Sequence, residues 1–287
     1  MERENKLAKE DACVSVPLMS SVCNFSGGFN MFGAIVGDVL GSVWEFHPVR
    51  TGVTFEALQP RCKFTDDSVL TFATADVLLN GGDYGETYRR WGRAYPGRGY
   101  GRRFGAWLAS DSMGAYNSLG NGSAMRVAPV GWAFETLDET LEEAKRSAEC
   151  THNHPEGVKG AQATAALIFL ARQGENKSEM KKYAEKTFEY DLSRSIDEVR
   201  KTSRFDETCP ISVPEAFICF FEADSFEETV RNAISLRADA DTQACIAGGI
   251  AEAFWREIPE DWRQFTRERL EKNQLELLDS FSTKYCR

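Results

Sequence analysis

The chain is short of histidine, of long apolar runs and of positive charge, and each shortage excludes a class of protein. Among 287 residues the histidines are His47, His152 and His154, and none of the eight cysteines forms a C-x-x-C pair. A zinc site built from nitrogen and sulfur ligands therefore has too few donors. Charged residues interrupt every apolar stretch before the ~18–20 residues that cross a bilayer, so no membrane span is expected. Glu2, Glu4, Glu10 and Asp11 open the chain with no apolar segment behind them, unlike a secretory signal. Thirty-four basic against 44 acidic residues leave a net charge of −10, which argues against general nucleic-acid or anionic-membrane binding. The widely and irregularly spaced cysteines read as free thiols of a cytoplasmic protein, not as a disulfide framework. Alternating strand patterns are scarce as well.

What is present is mostly helical punctuation. Hydrophobic residues make up 42% and charged residues 27%, a globular composition. Residues 1–30 mix charges with Ser, Asn and Gly and read as an N-terminal extension. Val14, Val16, Leu18, Met19, Val22 and Phe25 could still dock it as an arm. From Met31 an apolar, glycine-spaced segment to Gly41 predicts a helix whose small residues admit a close neighbour. Residues 46–64, with Pro48, Gly52 and Pro60, read as an irregular connection. Helices are predicted over 68–79, over 84–95 on the spacing of Tyr84, Tyr88, Trp91 and Tyr95, and over 137–150. Further helices are predicted over 155–171, 178–190, 214–223, 225–236, 243–255 and 261–281. Ser225 and Glu228 read as a capping box. The glycine-rich stretch 97–131 reads as largely loop. With no repeat and no linker, residues 31–287 form one compact all-α domain.

Two acidic clusters stand directly before apolar helices. Thr65, Asp66, Asp67 and Ser68 form the first, and Asp239, Asp241 and Thr242 the second. Ordinary N-capping accounts for one acceptor in each. Several adjacent carboxylates are costly to gather unless cations neutralise them, and hard oxygen ligands suit Mg²⁺, Mn²⁺ or Ca²⁺. Both readings stand on the residues alone. Asp38 and Glu45 are acids beside Gly37 and Gly41, able to cap or pair. The segment Asn117, Ser118, Leu119, Gly120, Asn121, Gly122 can bring backbone N–H groups close to an anion. Thr151, His152 and His154 precede a helix.

With these five features in this order, residues 31–256 resemble the ADP-ribosylglycohydrolase family. The resemblance implies an all-α fold with two divalent cations, Mg²⁺ or Mn²⁺, and release of ADP-ribose from a modified acceptor. It implies metal ligands at Thr65, Asp66, Asp67, Asp239, Asp241 and Thr242. Catalytic carboxylates are expected among Glu45, Asp66 and Asp67. Substrate contacts are expected from Asn117, Ser118, Leu119, Gly120, Asn121, Gly122, His152 and His154. One departure is Arg237-Ala238, where the family usually carries Gly-Gly. The partner expected is an ADP-ribosylated conjugate of unspecified acceptor, met by a monomer. Rival readings are a hydrolase of free derivatives such as O-acetyl-ADP-ribose and a non-catalytic ADP-ribose-binding or crystallin-like relative. Between residues 84 and 107 six arginines face one acid, Glu86. Those side chains read either as a solvated face or, at the Gly97–Gly105 end, as the border of a cleft.

Overall fold

Glycines at 33, 37 and 41 line one face of the first helix, α1 (Phe32–Gly41), and nothing larger would fit there. A Cβ on Gly37 would lie 2.0 Å from the Ala244 carbonyl oxygen, and one on Gly41 would lie 2.5 Å from the Asp241 Cα. The two backbones meet because these side chains are missing. The partner helix, α13, spans Ala240–Trp255 and is buried along nearly its whole length. Beyond its polar first turn it is apolar or small on nearly every face, as an interior helix must be, with Glu252 the exception. A computed structural model describes residues 31–49 and 55–285. The expectation for residues 1–30 lies outside them.

Around this pair the chain wraps α2 (Asp66–Asn80), α3 (Tyr84–Ala94), α4 (Arg102–Ala109), α5 (Gly122–Met125) and α6 (Ala128–Ala133). Next come α7 (Leu137–Glu149), α8 (Pro155–Arg172), α9 (Lys177–Phe188), α10 (Ile196–Thr202), α11 (Cys209–Phe221) and α12 (Phe226–Ile234). The last two are α14 (Glu260–Arg267) and α15 (Lys272–Tyr285). The fold is all-α. Among the described residues the only β-type pairing is a single antiparallel bridge between Gly120 and Thr208.

Local chemistry sets most boundaries. Thr65 caps α2 by accepting from the Asp67 N–H, and Gly81, at φ 76°, closes it. Thr136 and Glu139 form a full capping box on α7. At α12 the box is divided: Ser225 accepts from Glu228 N–H, while the Glu228 carboxylate takes the N–H of Asp224 at 2.7 Å. The aromatic stripe of α3 faces inward, where Trp91 stacks between Phe72 and Tyr95.

Several expectations shift. The stretch 97–131 holds α4, α5 and α6, because buried Phe104, Trp107, Met125 and Trp132 anchor it despite its glycines. α10 is an addition, opened by a Ser195–Glu198 capping box. α11 starts at Cys209, five residues before Pro214, which lies inside it. Tertiary pairing secures that early start, since Cys209 N–H donates to the Leu119 carbonyl at 2.9 Å. The expected helix over 261–281 is two helices. Gln274 accepts from Glu271 N–H at 2.9 Å and starts α15 afresh, while Arg269 turns inward to the Cys62 carbonyl at 3.0 Å. Cys62, Cys150, Cys209, Cys219 and Cys245 are free thiols. Among the described residues no helix is long and apolar enough to cross a membrane.

Candidate active site at the helix starts

Asp38 of α1 is fully buried and organises the start of α2. It accepts from Thr65 N–H (3.0 Å), Thr65 Oγ1 (2.6 Å), Ser68 N–H (3.0 Å) and the Ser68 hydroxyl. These bonds hold the first turn of α2 against α1. The α1–α13 contact at Gly41 brings Asp239 and Asp241 to the same place. Single oxygens of Asp38, Asp67 and Asp241 lie within 4.8 Å of one another, and so do those of Glu45, Asp239 and Asp241. The two groups share Asp241.

Gathering so many carboxylates raises their affinity for protons. Burial first, then the Asp241 and Asp38 charges, push Asp66 and Asp67 well above the usual carboxylate range. Asp241 is displaced the same way by burial and by Asp239. Asp239 reaches about 7, mainly through burial, although hydrogen bonds from Asn121 and Asp241 oppose the rise. Glu45 is pushed up to about 8 by burial and by Asp241, Glu207 and Asp38, with Lys63 opposing. Burial also raises Asp38 despite its four donors. Asp67 Oδ1 is buried with no hydrogen-bond partner among the described residues. An orphaned acceptor amid repelling carboxylates is the environment a divalent cation satisfies, and the all-oxygen donor set fits one. Asp67 and Asp241 are among the carboxylates close enough together to hold one.

The carboxylates line a cleft of about 340 Å³. Arg102, Arg103, Tyr116, Gly120, Gly122, Arg126 and His152 line it with them. His152 is buried and its Nδ1 lies 2.7 Å from Thr151 Oγ1. A Cβ on Gly122 would approach its Nε2 to 3.1 Å, so the glycine admits the ring. Burial, then Arg126 and Arg103, hold this imidazole well below its ordinary pKa, hence neutral. Arg126 is fully buried over the Tyr88 ring and donates to Ser147 O (2.9 Å) and Thr151 Oγ1 (3.0 Å). Its Nε and Nη1 have no partner among the described residues.

The expected site residues divide. Glu45, Asp66, Asp67, Ser118, Gly120, Asn121, Gly122, His152, Asp239, Asp241 and Thr242 line the cleft. Thr65, Asn117, Leu119 and His154 do not. Thr65 is turned onto Asp38, and His154 caps α8 by accepting from Glu156 N–H at 3.1 Å. Asn117 lies exposed at φ 52° with its N–H on Asn153 Oδ1, and the Leu119 carbonyl is taken by Cys209. Asn121 turns its amide to Asp239, donating to Oδ2 at 2.7 Å. Gly99, Gly101, Arg102 and Arg103 line the cleft, in keeping with the reading of the Gly97–Gly105 end as its border, whereas Glu207 carries no sequence signal yet lines it too. The Gly120–Thr208 bridge, with Asn121 N–H on the Glu207 carbonyl at 2.8 Å, sets Glu207 there. A Cβ on Gly99 would meet Asp66 Oδ1 at 2.9 Å, so that loop closes directly over the carboxylate.

Comparison with known proteins agrees with this architecture. A family model for ADP-ribosylglycohydrolase matches residues 30–286. ADP-ribosylhydrolase ARH3 of Mus musculus is 27% identical, covering 85% of this chain and 87% of its own. ADP-ribosylarginine hydrolase Tri1 of Pseudomonas putida is 25% identical, covering 81% of this chain and 71% of its own. A solved structure titled ADP-ribosylglycohydrolase-related protein complex superposes with a TM-score of 0.69 at 27% identity, over 89% of this chain and 95% of the other. The helical fold, the convergent carboxylates and these likenesses lead to one assignment: the chain belongs to the ADP-ribosylglycohydrolase family and is a hydrolase of glycosidic bonds.

Proposed function

We propose that this protein removes ADP-ribose from a modified acceptor by attack of water at the anomeric carbon, using two divalent cations, Mg²⁺ or Mn²⁺. The observation that carries this reading is the mixed charge of the cleft lining. Six carboxylates, Glu45, Asp66, Asp67, Glu207, Asp239 and Asp241, share it with Arg102, Arg103 and the Gly120–Gly122 loop. The substrate calls for both, with a diphosphate at one end of the ribose and the bond to be cut at the other.

The two carboxylate groups that share Asp241 offer adjacent cation positions, with Asp66 and Thr242 in the same cleft lining and Thr65 bonded to Asp38. Bound there, the cations would orient ribose hydroxyls and acidify water. The chain's own residues supply the rest. Arg102 and Arg103 attract the diphosphate, and the loop glycines let backbone N–H groups approach it. Neutral His152 and Tyr116, with ring centroids 6.1 Å apart, offer faces for the remainder of the ligand. Glu45 stands beside Asp239 and Asp241 and lines the cleft, a position from which it would take or give the proton.

The test is to supply ADP-ribosyl-arginine, ADP-ribosyl-serine, O-acetyl-ADP-ribose and ADP-ribosylated nucleic acid, each with Mg²⁺, Mn²⁺ or chelator. Cation-dependent release from at least one conjugate is the expected result, and the rates rank the acceptors. Tight ADP-ribose binding without release from any of them would instead favour a non-catalytic binder.

A further inference from the structure

A second cavity, of about 510 Å³, opens beside Phe205 and is lined by Asp197, Arg200, Lys201, Arg204, Phe205 and Arg237. Four cations face one acid, in a chain of net charge −10. Two of the guanidiniums are already held in place. Arg200 bonds Asn232 Oδ1 (2.7 Å), Ser235 Oγ (2.9 Å) and Asp197 (3.0 Å), and Arg204 Nη1 donates to the Ser203 carbonyl at 2.6 Å. Lys201 and Arg237 are exposed and form no ion pair among the described residues. Arg237 sits at φ 61°, in the left-handed region that favours glycine, and projects a long cation from it. None of these groups belongs to the cleft.

The cavity and the cleft are joined by an aromatic pair. Phe46, next to Glu45, is 73% exposed, and Phe205, two residues before Glu207, is 47% exposed. Their ring centroids lie 6.2 Å apart. Arg204 and Glu207 are three residues apart, so at most ~11 Å of chain separates them. Passing outward from the carboxylates, the surface is thus acidic at Glu45 and Glu207, apolar at the two rings, and basic in the cavity.

We propose that this cavity docks an acidic side chain of a polypeptide acceptor, two or three residues from the ADP-ribosylated position. The proposal rests on the hydrolase reading above and adds the acceptor's class. An extended peptide spans ~7–11 Å over two or three residues, enough to cover the chain from Glu207 at the cleft to Arg204 at the cavity. Its neutral backbone crosses the acidic rim and the rings, and its carboxylate reaches Lys201 and Arg237. A polynucleotide fits less well, because it carries a phosphate at every nucleotide and would set the first against Glu45 and Glu207.

The experiment uses the full chain with Mg²⁺ or Mn²⁺ and synthetic ADP-ribosylated peptides with glutamate, glutamine or lysine at the second and third positions on either side. Binding is read by fluorescence anisotropy and release by product analysis. Glutamate flanks should improve binding and kcat/KM about 5–10-fold over glutamine at low salt, and the gain should vanish near 0.5 M salt. Arg237→Gly, which suits the backbone there, and Lys201→Gln should each erode the preference, and together abolish it. Release from a flankless ADP-ribosyl amino acid should be unchanged in both variants, which also shows that they fold. Equal binding of all flanks, or a preference that survives the double variant, overturns the docking site. So does an ADP-ribosylated oligonucleotide that outbinds the acidic peptide and loses its advantage in the double variant. A flank preference in binding without release from any substrate would sink the hydrolase reading and leave the docking site standing.

Discussion

At the scale of single residues, the site depends on carboxylates held close to one another by specific partners. Glu45 joins Asp239 and Asp241 in a mutually close group and lines the cleft. Glu45→Gln keeps the side-chain shape and removes the titrating group. Turnover should fall about 10²–10⁴-fold while ADP-ribose binding stays measurable by calorimetry. Near-normal kcat would remove Glu45 from the reaction. Asn121 gives a different expectation, because its amide is committed to Asp239. Losing a group that orients a metal-binding carboxylate typically costs 10–100-fold in metal affinity. Asn121→Ala should therefore raise the Mn²⁺ concentration needed for half-maximal activity by about that factor, with a smaller effect on ADP-ribose affinity at saturating Mn²⁺. An unchanged metal requirement would show that the bond to Asp239 is structural only.

At the scale of elements, the α1–α13 contact does most of the positioning. Gly33, Gly37 and Gly41 follow one another at four-residue spacing, so they fall on one helix face. Adding a single methyl at Gly37 places it 2.0 Å from a carbonyl oxygen, which no rotamer can relieve. The helices must separate, and with them Asp38 and Asp241. Gly37→Ala should lose about 2–3 kcal/mol of stability in denaturant unfolding and more than tenfold in activity at fixed metal. A variant of ordinary stability and activity would mean that the helices slide without cost. The bridge between Gly120 and Thr208 plays the same role for the glycine loop, tying it to the start of α11.

For the whole molecule, the carboxylate cluster couples stability to pH and to metal. Glu45 rises from 4.5 to about 8 and Asp239 from 3.8 to about 7 on folding. Between those limits the folded protein retains protons that the unfolded chain has released, so stability falls as pH rises. In chelator, the melting temperature should drop steadily from about pH 5 to pH 8. Mg²⁺ or Mn²⁺ competes with those protons, so its stabilising shift should grow over the same range. A metal-induced shift that is largest at pH 5 would contradict this. Residues 1–30 carry no ligand-type cluster, and a chain starting at Met31 should fold and hydrolyse like the full one. A loss beyond about 1–2 kcal/mol in unfolding would make that segment part of the core.

The sequence by itself was enough for the all-α class, most helix boundaries and the identity of the acids, because these rest on short-range signals. Thr65 and Gly81 punctuate α2, apolar periodicity marks α3, and carboxylates crowded at helix starts exceed what capping uses. What required tertiary structure is everything that depends on distant residues meeting. Asp38 looked like any cap or pair until Thr65 and Ser68 closed on it from 27 and 30 residues away. Asn121 stands in a loop that the sequence turns toward a ligand, and only the structure shows its bond to Asp239, 118 residues on. Glu207 stands in a stretch without period or motif and reaches the cleft only through the bridge to the glycine loop. Pro214 read as a helix start, but the bond between Cys209 and Leu119 begins α11 earlier. Propensity and capping act within a turn or two of chain, whereas the cleft forms where glycine faces let α1, α2 and α13 converge, and that meeting exists only in three dimensions.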